Sequence, residues 1–139
     1  MSEPQLIGVW SDAYLSVGSM EATDLIFTVA GVGWSVLSTA AGCEQILFHW
    51  SVPEHGRLVL REERYARFEG HLESQVLVDE HGWDETIETA FIIRPGRDVG
   101  GNPATLLELD ERISFGDQFQ LIRREPEARD DPAGWTQPR

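Results

Sequence analysis

The side chains best able to carry metal or proton chemistry are four histidines, His49, His55, His71 and His81, and a dense set of carboxylates. The histidines stand 6, 16 and 10 positions apart, so no HxH or HxxxH pair sets two imidazoles on one local face, as a motif-borne metal site requires. His55 and His81 each adjoin a glycine in an expected turn and should be exposed. His49 alternates with Phe48 and Trp50, so it points out of the barrel if those rings point in. Haem ligation by His49 or His71 is a minor alternative. No metal and no cofactor is expected.

The carboxylate groups Glu62-Glu63, Asp79-Glu80, Asp84-Glu85 and Glu108-Asp110-Glu111 could each be proposed as a general acid and base. In a chain of formal charge -13, turn-flanking acids of this kind read as solvated faces. Cys43 is the only cysteine and has no base or positive group near it in sequence, so it reads as a small structural residue and not as a nucleophile. GxSxG, P-loop and GxGxxG patterns are absent, and VGGN at 99–102 lacks the helix that phosphate binding needs. No catalytic residue is named, and the reading leans to a non-enzymatic protein.

The charge also limits partners. Phosphate backbones and anionic bilayers attract concentrated positive charge, and this chain has 24 acidic against 11 basic residues, all of the latter arginine. Neither nucleic acid nor a membrane is an expected partner. One cysteine permits no intrachain disulfide, and the opening MSEPQLIGVW has neither a positive n-region nor a long apolar h-region. A cytoplasmic location is expected.

The elements that would position any site are short runs with period-two alternation, broken by glycine, proline and acidic turns about every 8 to 12 residues, the rhythm of an all-β sandwich or barrel. DLIFTVAG, the turn GVG at 31–33 and WSVLS predict one hairpin; EQILFHWSV, PEHG and RLVLRE predict a second. RYARFEGHLESQVLV reads as two strands about Gly70, TIETAFIIR as another, and PATLLELD and DQFQLIRRE as the closing pair around ERISFG. The expectation is an all-β, antiparallel up-and-down barrel of about eight to ten strands, since closure removes exposed sheet edges. Residues 1–125 form its single domain, and 126–139, with three prolines and mixed charge, are expected to be a flexible tail.

Phe27, Trp34, Phe48, Trp50 and Phe91 fall in these strands and are the candidates to line an interior cavity for a small apolar ligand. The same rings could fill the interior outright, since a barrel of about eight strands has little room left over. The alternative is then a protein-interaction or scaffold module. Ile26, Leu47 and Ile92 fall on the outward set and would need covering, which a second copy in a homodimer would provide.

The opening Gly8-Val9-Trp10, the hairpin series and a last strand ending in Arg123 or Arg124 resemble the lipocalin and fatty-acid-binding group, the calycins, and most nearly the small bacterial lipocalin-like proteins of unassigned function. The resemblance covers roughly residues 5 to 125. It implies that Trp10 plugs one barrel end while Arg123 packs across it, with Arg124 taking that place if a bulge shifts the register. Gly8 would then admit the crossing terminal strand. The Arg-x-Tyr clamp of fatty-acid-binding proteins has no counterpart in FQLIRR, so a fatty-acid carboxylate clamp is not implied.

Overall fold

Eight antiparallel strands follow one another up and down, each hydrogen-bonded to its neighbour in sequence, and the last returns to the first to close a barrel. The computed structural model describes residues 3–13, 15, 21–70, 74–114 and 116–135. The strands are β1 (Gly8–Ser11), β2 (Ala22–Phe27), β3 (Val32–Thr39), β4 (Gly42–Ser51), β5 (Arg57–Glu69), β6 (Val76–Arg97), β7 (Pro103–Ile113) and β8 (Gly116–Arg123). Single 3-10 turns lie at Pro4–Leu6 and Ala128–Asp130. No helix among the described residues is long and apolar enough to cross a membrane.

Alternation sorts the apolar side chains of β1 to β4 into two buried sets. Trp10, Leu25, Phe27 and Phe48 join Leu60, Phe91, Leu107 and Phe119 inside the barrel. Val9, Ile26, Trp34, Val36 and Cys43 form a second cluster on the outer wall, with Phe68 and Ile122 packed against it. Strands buried on both faces read as continuous apolar runs, which is what Leu25-Ile26-Phe27 shows.

A segment folds in at each end of the barrel. At one end Leu6, from the 3-10 turn before β1, is fully buried in the interior cluster. β1 and β8 approach so closely there that a Cβ on Gly8, whose φ is +148°, would lie 2.8 Å from the Arg123 carbonyl oxygen. Only glycine tolerates that geometry without strain, as the expected crossing of the terminal strand requires. At the other end the β7–β8 turn folds inward, so that the Thr23 hydroxyl donates to the Ser114 carbonyl at 2.6 Å and the Ser35 and Ser114 hydroxyls meet at 3.0 Å.

Three expectations are corrected. The first hairpin turns at 28–31 and not at GVG, because Gly31 takes the left-handed φ of +79° and donates to the Thr28 carbonyl. The DEHGWDE segment is no turn but part of the continuous strand β6, its extra residue absorbed by a bulge opposite Glu62 and Arg64. Finally, residues 126–135 are not a free tail: they cross the outer wall as a strap, and Asp131 is buried.

Candidate functional site

Four of the five expected cavity rings belong to or pack against one interior cluster, and Phe27 touches two of them. Phe27 lies 5.7 Å from Phe48 and 5.3 Å from Trp50 between ring centroids, the latter edge to face. Phe48 and Phe91 belong to the same interior cluster, and Trp50 packs against it while its indole donates to the Thr28 carbonyl at 3.1 Å. These contacts are between the rings themselves. Trp34 is the exception. Register pairs it with Ile26, whereas Gly33 pairs with the inward Phe27, so Trp34 points outward and its indole donates to the Asp130 carbonyl at 2.7 Å.

The barrel-end pair is likewise divided by the wall. Trp10 faces inward, fully buried, with its indole N–H donating to the Leu6 carbonyl at 2.8 Å. A register shift between Val9 and Trp10 sets Arg123 opposite Val9, on the outward set. Its guanidinium bonds the Asp130 carboxylate and lies 3.7 Å from Glu127. Arg124 takes up the end of the barrel, donating to the carbonyls of Gln5 at 2.6 Å and Ile7 at 3.1 Å. Arg124 is exposed there and contacts main-chain carbonyls, not the Trp10 ring.

The strap is anchored strand by strand. After Arg123 and Trp34, its next partner is Gln45, a fully buried side chain on β4 that donates to Asp131 Oδ1 at 2.7 Å and accepts the Ala133 N–H at 2.8 Å. Trp135 reaches β5 and β6, where its indole donates to Glu80 at 3.1 Å and the Arg64 guanidinium sits 5.2 Å over its ring. Between strap and wall lies a cleft of about 850 Å³ bordered by Val36, Cys43, Phe68, Asp24 and Arg123. Burial raises the Asp24 carboxyl above the ordinary aspartate range; a Ser11 hydrogen bond opposes the shift, the Asp130 charge adds to it, and Arg123 holds it back.

A second arrangement, missed by the sequence reading, sits on β5 and on the stretch of β6 that β7 does not pair. Tyr65 on β5 stacks on Trp83 with centroids 5.5 Å apart and planes 26° from parallel, and lies 4.8 Å from the His81 ring. The Trp83 indole donates at 3.2 Å to Glu62, a buried carboxylate whose pKa desolvation raises against that hydrogen bond. The Tyr65 hydroxyl is pushed up to about 12 by burial and by its hydrogen bond to the Glu44 carboxylate. The signal was present as Tyr65, His81 and Trp83 on adjacent stretches, but only the strand pairing Tyr65↔His81 shows that they share a face.

The remaining candidates are dispersed. His49 lies 2.9 Å from Glu63 and half exposed, facing out as expected, and His55 is in the exposed turn before β5. His71 lies outside the described residues. Cys43 is buried beside Gln75, 3.7 Å from its side-chain oxygen, and burial raises its thiol pKa. Among the described residues no group of three or more histidine, cysteine or acidic side chains is placed to hold a metal ion. Of the outward apolar positions, Ile26 is fully buried within the chain's own outer wall, while Ile92 is 60% exposed. No protein-family model, curated protein or solved structure matches this chain.

Proposed function

We propose that the chain is a lipocalin-like barrel acting as a non-enzymatic binding module, which meets a protein partner through its outer surface and holds no small apolar molecule inside. The packing of the interior carries this reading. Trp10, Phe27, Phe48 and Phe119 are each fully buried in one mutually contacting cluster. Leu6 is buried at one end of the ring, and the Ser114 turn folds in against Thr23 and Ser35 at the other. A barrel of about eight strands has an interior that side chains of this size fill. One cleft lies on the outer wall under the strap and another at the β3–β4 turn, between Leu37, Glu44, Arg67 and Phe68. With a net charge of -13, the surface steers positively charged partners toward it and repels polyanions.

The test is a titration of the folded protein with the apolar dye 1-anilinonaphthalene-8-sulfonate, followed by fluorescence. The expected result is no saturable enhancement at micromolar dye. Stoichiometric, saturable uptake would make the protein a small-molecule carrier and end the module reading.

A further inference from the structure

Along its first half β6 is paired on one side only. From Val76 to Glu88 its neighbour is β5, in a register running from Glu69↔Val76 to Val59↔Glu88, whereas its pairing with β7 begins at Phe91↔Leu109. Among the described residues no strand pairs with the other edge of Val76–Glu88. Such an edge presents unpaired N–H and C=O groups that a further strand can take up. The side chains on it are open as well: Val76, Leu77 and Val78 are 63%, 48% and 42% exposed.

The chemistry of this edge selects its occupant. It carries Asp84, Glu85 and Glu88, together with Asp79, which lies 3.3 Å from His81, and Glu80, which is already ion-paired to Arg64, and no arginine or lysine. A second copy pairing antiparallel about Gly82 would set Asp79 opposite Glu85 and Glu80 opposite Asp84, and like charges directly opposed destabilise a ladder. A cationic strand meets the opposite situation. It would also find the shelf of Tyr65, His81 and Trp83, whose rings lie 4.8 to 6.0 Å apart with planes 26° to 44° from parallel. A guanidinium stacks well on such ring faces.

We propose that an extended, arginine-rich segment of a partner protein adds to the edge Val76–Glu88 as a further strand, its arginines paired with the Asp84 and Glu85 carboxylates and stacked on the Trp83–His81 shelf. This rests on the reading of the barrel as a binding module and names its partner. Main-chain hydrogen bonds to the edge would supply affinity, and the acidic and aromatic side chains specificity.

The test uses the full chain and three fluorescein-labelled octapeptides of alternating arginine and valine, read by fluorescence anisotropy. One peptide is unmodified, one is N-methylated at the arginine amides and one at the valine amides. N–H groups of alternate residues point to the same side of a strand, so each methylated peptide has one edge blocked. The expected result is saturable binding of the unmodified peptide, similar binding of one methylated peptide, and a loss of about tenfold or more for the other. The double variant Asp84→Lys, Glu85→Lys should weaken binding by a comparable factor while circular dichroism keeps the strand signal. Amide exchange over Val76–Glu88 should slow when the peptide is bound. Equal binding of all three peptides, no binding, or slowed exchange elsewhere overturns the proposal. So does sedimentation showing a dimer with this edge protected, which gives it to a second copy. Failure here with no dye uptake removes the edge proposal alone, whereas saturable dye uptake removes the module reading beneath it.

Discussion

The Thr89 hydroxyl oxygen accepts the Glu111 N–H at 3.0 Å, at the point where β7 parts from β6. Up to Leu109 the two strands share a ladder. Beyond it a buried side chain on β6 takes the β7 amide in place of a main-chain carbonyl, and β7 carries Ile113 into the interior cluster. This relationship marks the point from which two features follow along the strands: the inward turn at Ser114 and the open edge of β6.

Thr89→Val keeps the side-chain shape and removes the acceptor. Leaving the Glu111 N–H unpaired should cost about 1 to 3 kcal/mol, seen as a lower urea midpoint, while Thr89→Ser should lose clearly less. A Val variant as stable as the parent would mean that this amide has another partner and that the divergence has another cause.

Asp131→Ala should destabilise by about 1 to 3 kcal/mol, because it orphans the buried Gln45 amide. The strap should loosen locally, and tryptophan emission should shift to the red as Trp34 gains water. An unchanged emission maximum together with unchanged stability would show that the strap does not depend on this anchor.

Gly8→Ala adds a methyl group where φ is +148° and the Arg123 carbonyl oxygen would be 2.8 Å away. Backbone strain of this kind costs about 1 to 3 kcal/mol, and the clash adds to it. Thermal unfolding measures the loss. A neutral result would be incompatible with the tight β1–β8 crossing.

Glu62→Gln should stabilise the protein at neutral pH. Burial raises the Glu62 carboxyl above its ordinary value, against the Trp83 hydrogen bond and with a contribution from the Glu85 charge. A carboxyl with a raised folded pKa binds its proton more tightly folded than unfolded. Stability is lost as pH rises through the unfolded value toward the folded one, and the loss is complete above it. The glutamine variant removes that loss and keeps an oxygen for the Trp83 indole. Urea midpoints of variant and parent should therefore converge below about pH 4, where the carboxyl is protonated in both states. A gap that persists there would assign the effect to packing.

Strand order was legible because alternation and turn residues are local signals. The second hairpin, the pair about Gly70 and the closing strands appear where the alternation puts them, the first hairpin turns earlier than read, and RLVLRE and RYARFE, read apart, join in one strand, β5. The assignment of faces was not legible for WSVLS, whose larger side chains Trp34 and Val36 suggest the inward set. The structure turns them out and points Ser35 inward to Ser114, since pairing with Ile26 and Phe27, not side-chain size, fixes the face. The strap was missed because composition counts apolar area, whereas this segment is held largely by directed hydrogen bonds at Asp130, Asp131 and Ala133. The aromatic shelf was missed because His81 and Trp83 fall in a stretch read as a turn.

The strap also sets an order of events during synthesis. Trp34 meets a residue 96 positions later and Gln45 one 86 positions later, so these contacts are among the longest closures in the chain. A nascent chain that has made β1 to β4 exposes the wall around Ile26 and Trp34 until the residues after β8 leave the ribosome. Closures of high sequence separation are slow, and apolar surface bared meanwhile invites aggregation. The segment that looks least important to the fold by composition is thus the one on which an emerging chain waits longest.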